Sequence, residues 1–523
     1  MENDEYIKRE NKKGKKYKVI IVLLIIVIIS IIVGGTFLFI SKNNKTTSDK
    51  TVEKKKVYSK YKISGNGLED FDMHFLSLEN EEKNKVYSPL SIKYALEMLK
   101  EGASGDSRDE IDSVVGEYSS KKYTNSENMS FANAMFIRNN FKDSIKKSYT
   151  DKISNKYNAE IVYDDFTNAE NINNWVSNKT FNLVNNLLDD VSHNDFILVN
   201  ALAIDMEWKK KIQATITDSY QEKYNVSYSH EKYNEFIVPI DGDNYETVNF
   251  NDKNVKSVEI GASINNYDIV NTLGEANIRQ TVGEEYKEYM AEDPCGSGSS
   301  MESVDTYLDR YIKELNSNYK QVKASTDFRF YDDDNLKVFA KELKEYNGTA
   351  LEYIGIMPKV VSLKEYIENM SVKEINNTIN NLKTVELENF DTGTITKITG
   401  YIPLFNYEYE LKLKDDLNSL GIKSVFNKDK ADLSKLTSKK KAFINNATHK
   451  ANIEFSNEGI KAAAATALGG YGAAGCGFDH IYDVPIKTID MTFDKPYLFI
   501  IRDKLTGEVW FTGTVYEPTV NEQ

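Results

Sequence analysis

Residues 19–40 form the most uniform stretch of the chain, 22 positions from Val19 to Ile40 without a single charge. As a helix that run crosses about 30 Å of hydrocarbon. Seven Lys or Arg stand in residues 8–18 and three Lys in residues 41–51. The positive-inside rule therefore predicts a cytoplasmic tail over 1–18, a transmembrane helix over 19–40 and a chain that continues outside the cell. The run is too long for the apolar part of a signal peptide and ends in Phe-Leu-Phe-Ile-Ser-Lys, without a small-residue cleavage pattern. Single-pass anchoring in the cell membrane is thus expected, with secretion as the alternative. Residues 41–60 are polar and Lys-rich, a solvated tether, and a folded domain is expected over 61–523.

Within that domain helical and strand patterns alternate irregularly, with no internal repeat. Ser88-Pro89 opens a helix, since Ser caps free N–H groups and Pro is tolerated at the first helical position. Leu90, Tyr94, Leu96, Met98 and Leu99 give it an apolar face. Ser107-x-x-Glu110 reads as a capping box for the next helix. Residues 174–188 read as another amphipathic helix, and Phe196-Ile197-Leu198-Val199 as a buried strand. Residues 496–501 and 509–515 read as strands joined through Asp503-Lys504-Leu505-Thr506-Gly507. The mixture predicts an α+β fold.

Composition narrows the function. Hydrophobic residues at 40% support a packed core, while 66 Lys and Arg against 80 Asp and Glu give a net charge of −14. A nucleic-acid partner is not expected of such a chain. Two cysteines, Cys295 and Cys476, and five histidines offer no metal-ligand spacing. No catalytic motif emerges, so the chain does not read as an enzyme, and no cofactor is expected.

One segment stands out: Asn457-Glu458-Gly459-Ile460-Lys461-Ala462-Ala463-Ala464-Ala465-Thr466-Ala467-Leu468, followed by a glycine-rich stretch through Gly477. Alone, it reads as a helix ending in a loop, or as a flexible linker. Other motifs accompany it in order. They are Ser88-Pro89-Leu90-Ser91-Ile92; Gly102-Ala103-x-Gly105; Leu198-Val199-Asn200-Ala201 with Trp208; His449-Lys450-Ala451, ten residues before Gly459; and Asp494-Lys495-Pro496-Tyr497-Leu498-Phe499 with Thr506-Gly507-x-x-x-Phe511-x-Gly513-x-Val515. Together these resemble the serpin family, of bacterial type with an N-terminal anchor, from about Gly67 to Pro518.

The resemblance implies a large central, mostly antiparallel sheet, smaller sheets, about eight helices and an exposed reactive loop over about 459–490. It implies an irreversible suicide-substrate inhibitor of serine proteases, whose cut loop inserts into the main sheet. A non-inhibitory binding protein of the same fold, or an inhibitor of cysteine proteases, is the alternative. The hinge would be Asn457, Glu458, Gly459, Ile460, Ala462, Ala464 and Thr466. Side chains of a strand alternate faces, so Ile460, Ala462, Ala464, Thr466 and Leu468 would point inward, none of them charged. Ser88, Ser91, Asn200, Trp208 and His449 would bridge the opening of the main sheet. Counting from the hinge puts the reactive bond at Ala473-Ala474, with Tyr471, Cys476 and Phe478 as alternatives. A small residue there suits an extracellular elastase-like or subtilisin-like protease. The chain is expected to act as a monomer. It is shorter than typical members between Glu110 and Asn133, where glycosaminoglycan-activated relatives carry a helix, so no such activator is expected. It also carries an acidic, Tyr- and Asn-rich insert over about 242–322, with an amphipathic helix over 303–319. That insert reads as a surface elaboration or as a partner-docking module.

Overall fold

A computed structural model describes residues 61–519, except 62, 213–245, 293–301, 325, 446, 458, 461–477, 479 and 481. Among the described residues, the helix announced by Ser88-Pro89 forms as expected. Ser88 Oγ accepts a hydrogen bond from Ser91 N, and Pro89 takes the first turn of helix Pro89–Gly102. Leu90, Tyr94, Leu96, Met98 and Leu99 are all buried in the main core.

Two local expectations are corrected. Helix Gly105–Val115 starts one residue after Ser104, and Ser107 and Glu110 do not form a capping box. Ser107 Oγ accepts from Asp432 N, and the Glu110 carboxylate accepts from Ser424 N, so both tie the helix to a distant segment instead. The helix expected over 174–188 spans Glu170–Lys179. Thr180 Oγ1 donates back to Val176 O, and Phe181 and Asn182 take left-handed φ values of 54° and 61°. Two successive left-handed residues cannot continue a right-handed helix.

Behind the functional region stands a seven-stranded antiparallel sheet in the order Lys85–Tyr87, Val509–Val515, Tyr497–Asp503, Leu351–Pro358, Leu336–Glu342, Arg329–Asp332, Lys383–Thr384. The expected C-terminal hairpin is its pair Tyr497–Asp503 and Val509–Val515. A five-stranded sheet holds Ile486–Asp490, Ile395–Pro403, Lys253–Asn265 and Glu246–Phe250, with Gln321–Ala324 added on Lys253–Asn265. The large central sheet expected from the resemblance is divided. One part is Ala159–Asp164, Met129–Arg138 and Phe196–Ile204; the other is Phe405–Leu411 and His449–Phe455.

Helices Ile269–Leu273, Glu275–Ala291 and Val304–Asn318 form a small unit with its own core around Ile278, Val282, Tyr307 and Leu308. The last of them is the amphipathic helix legible in the sequence, capped by Ser303 Oγ accepting from Thr306 N. Outside this unit the described residues carry eight α-helices. Among the described residues no helix is long and apolar enough to cross a membrane; the apolar run 19–40 lies outside them.

Candidate functional site

Phe196–Ile204 and His449–Phe455 run toward the same end of the molecule, yet no ladder joins them among the described residues. Their outer edges are satisfied, by Met129–Arg138 and by Phe405–Leu411 respectively. Their inner edges flank a slot, whose lower part is a cavity of about 110 Å³ lined by Leu198, Asn200, His449 and Ala451. Phe511 of the seven-stranded sheet and Leu96 close it on one side, Val176 and Val184 on the other.

The floor is polar. His449 Nε2 accepts a 2.9 Å hydrogen bond from Ser88 N, while Ser91 and Asn200 line the same cavity. Asn200 Nδ2 donates to Asn133 Oδ1 at 2.6 Å. Ser91 Oγ and Asn200 Oδ1 are buried with no partner, unusual for groups that cost free energy when left unpaired. Burial pulls the His449 pKa down to about 4, because charging the ring there would forfeit its hydration. A protonated Nε2 also loses its acceptor role.

That depression has a testable sign. The unfolded ring takes its proton near pH 6.5 but the buried one only near 4, so stability is lost as pH falls between those values. The full loss is about 3 kcal/mol. In urea unfolding at pH 7 and pH 4.5, His449→Gln should lose less stability on acidification than the parent chain. Equal losses would show that His449 does not carry the effect.

The mouth of the slot is built around Trp208, which is 0% exposed. Its ring packs edge-on against Tyr353 and Phe455, and Nε1 donates to Ser456 O at 2.9 Å. Ser456 then folds the chain back on itself. Ser456 N donates to Gly459 O at 3.0 Å, and Gly459 N donates to Ser456 Oγ at 3.3 Å. After this turn Gly459 and Ile460 pair antiparallel with Glu207 and Met206. Only glycine fits the first position: a Cβ would lie 2.7 Å from Glu207 Cα and nearer still to Met206 O. Asn457 O accepts from Ile212 N at 3.0 Å.

The residues singled out in the sequence thus fall into two groups, Ser88, Ser91, Asn200 and His449 at the floor and Trp208, Asn457 and Gly459 at the mouth. Ile460 contributes its backbone pairing. Glu458, Ala462, Ala464, Thr466, Tyr471, Ala473, Ala474 and Cys476 lie outside the described residues, as does Cys295. Phe478 is half-buried against Tyr286, Tyr289 and Tyr307 of the helical unit. The sequence reading missed Ser456, although Ser three residues ahead of Gly is a turn signal. It also missed these tyrosines. Among the described residues no cluster of three His, Cys, Asp or Glu is placed to hold a metal ion.

Comparison with known proteins places this architecture. Residues 71–261 and 313–518 match the family model described as "Serpin (serine protease inhibitor)". Residues 262–312, which include two of the three helices of the extra unit in full, fall between the two matched blocks. Neuroserpin of Mus musculus is 24% identical, covering 84% of this chain and 87% of that protein. An "uncharacterized serpin-like protein" of Methanosarcina acetivorans is 24% identical over 87% and 86%. Relatives from a mammal and an archaeon do not single out a bacterial type. A thermophilic serpin, tengpin, in its native state superposes with a TM-score of 0.54 at 21% identity, covering 90% of this chain and 96% of tengpin. A thyroxine-binding globulin bound to thyroxine gives 0.55 at 17%, over 86% and 98%. The family match covers most of the chain and takes in both strands that flank the slot, together with the turn that enters it: the chain belongs to the serpin family.

Proposed function

We propose that this protein is an irreversible, suicide-substrate inhibitor of serine proteases. The observation that carries the proposal is the antiparallel start that Gly459 and Ile460 make at the mouth of an open slot. Continued at that register, Ala462 arrives opposite Ile204, Ala464 opposite Leu202, Thr466 opposite Asn200 and Leu468 opposite Leu198. Residues paired across strands share a face. Ile204 and Met206 are buried in the main core, and Leu198 and Leu202 pack against it, so this uncharged set is the core-facing one. Thr466 would bring a hydroxyl to the unpartnered Asn200 Oδ1.

The proposed reaction makes use of that geometry. The protease serine adds to the carbonyl of Ala473, the peptide bond to Ala474 breaks, its nitrogen leaves as a protonated amine, and residue 473 stays on the enzyme as an ester. The freed strand then enters the slot and hydrogen-bonds both inner edges. About a dozen bonds at a net 0.5–1.5 kcal/mol each give on the order of 10 kcal/mol. Loop insertion and release of stored strain are the known device of this family. Phe478 is an unsuitable reactive residue, since its ring is held by three tyrosines. Ala473 favours an elastase-like or subtilisin-like target.

The test is to mix the chain with such a protease. A covalent complex that survives denaturing electrophoresis is expected, together with a C-terminal fragment whose mass starts at Ala474. Clean cleavage with no complex would favour the non-inhibitory binding reading, and a fragment starting beyond Asp479 would refute the proposed bond. The apolar run 19–40 and its basic flank support display of this domain on the outer face of the cell membrane. Protease added to intact cells should then release most of the chain, and full protection would sink that topology.

A further inference from the structure

We propose that the extra helical unit is a clasp on the downstream flank of the reactive loop, and that it limits how far an uncut loop can enter the slot. The proposal rests on the loop-insertion reading above. Phe478 lies with its ring centroid 5.3 to 5.6 Å from those of Tyr286, Tyr289 and Tyr307. Tyr307 OH donates to Phe478 O at 3.3 Å, and Tyr311 OH donates to His480 O at 2.8 Å. His480 Nδ1 lies 2.6 Å from Glu285 Oε2. Backbone and side chains of the flank are therefore both held, by helices Glu275–Ala291 and Val304–Asn318.

The clasp stands at the end of the five-stranded sheet where the chain rejoins a strand at Ile486. Its helices follow Asn265, which pairs with Ile395, the residue that also pairs with Ile486. The other end of that strand, Pro403, leads into Phe405, which pairs with Phe455 at the mouth. An uncut loop entering the slot must therefore turn and come back to one of two anchors, Phe478 while the clasp is closed and Ile486 once it opens. The second anchor lies eight residues further along the chain. Shared between the two limbs of the entering loop, those residues add about 13 Å of depth at a rise of about 3.3 Å per residue. From Met206 to Phe196 the slot is about 33 Å deep at that rise, so the closed clasp withholds more than a third of it. A cut upstream of Phe478 frees the inserting end and leaves the clasped piece in place, so the device restrains the uncut chain and not the reaction.

Two variants of the full chain in detergent test this under reducing conditions, so that no Cys295–Cys476 bridge can substitute for the clasp. F478A/Y311F should open it. Kept uncut and warm, that variant should lose complex formation at least tenfold faster than the parent, with unchanged mass and a raised melting temperature. Deleting residues 478–485 removes the clasped residues but restores the short span, and this chain should persist like the parent. Equal persistence of F478A/Y311F and the parent, or decay of the deletion variant as fast as F478A/Y311F, would overturn the clasp. A cut parent chain that gains no heat resistance would sink the insertion reading and the clasp with it, whereas failure of the variants alone sinks only the clasp.

Discussion

The full chain carrying Ala464→Glu is expected to be cut as an ordinary substrate and to leave its protease active. On insertion at the register set by Gly459 and Ile460, residue 464 would meet Leu202, whose side chain packs on the main core. An unpaired carboxylate there costs several kcal/mol even after it takes up a proton. That is a large share of the order of 10 kcal/mol available from the new ladders. The covalent complex should fall at least tenfold, while the cleaved chain accumulates at the parent rate. Ala464→Val, which adds volume without charge, should trap far better than the glutamate variant. Undiminished trapping by Ala464→Glu would mean that the strand does not enter, or enters with the other face inward.

Cutting the loop of the parent chain should raise its melting temperature by on the order of 10 °C. Unfolding entropy near 2.1 cal/mol/K per residue gives a domain of this length about 1 kcal/mol per degree, so insertion worth about 10 kcal/mol shifts the midpoint by about that many degrees. Calorimetry before and after limited proteolysis measures it. An unchanged or lower midpoint would mean that the slot stays open after cleavage, which is the behaviour of a binding protein and not of a trap.

Local chemistry carried much of the fold into the sequence. Ser88-Pro89 announces its helix because cap and first turn lie in adjacent residues, and the C-terminal hairpin is bracketed by its own turn, in which Gly507 has a φ of 77°. Helix Val304–Asn318 shows its apolar stripe at helical spacing. The helix placed over 174–188 was misjudged because the apolar pattern runs on through Leu183, Val184 and Leu187, although Phe181 and Asn182 have already left the helical region. Ser107 and Glu110 have the spacing of a capping box but are claimed by partners more than 300 residues away. The floor of the slot was legible only through family resemblance, since no periodicity links Ser88 with His449, 361 residues on. The grip of Tyr307 on Phe478 spans 171 residues and left a single local trace, the Tyr307 and Tyr311 pair on one helix face.

The turn from Ser456 to Gly459 also bears on timing. Enzymes that turn over at 1–10³ s⁻¹ leave an acyl intermediate between about a millisecond and a second before water reaches it. A hairpin closes in on the order of microseconds, and most of that time goes into the first rung, which fixes several residues for little return. Here the first rung exists before the protease arrives, as Gly459 and Ile460 against Glu207 and Met206. On the proposed mechanism, the race between hydrolysis and capture would begin with its first local step already taken. Any side chain at position 459 would collide with the backbone of Met206 and Glu207, and so would remove that first rung.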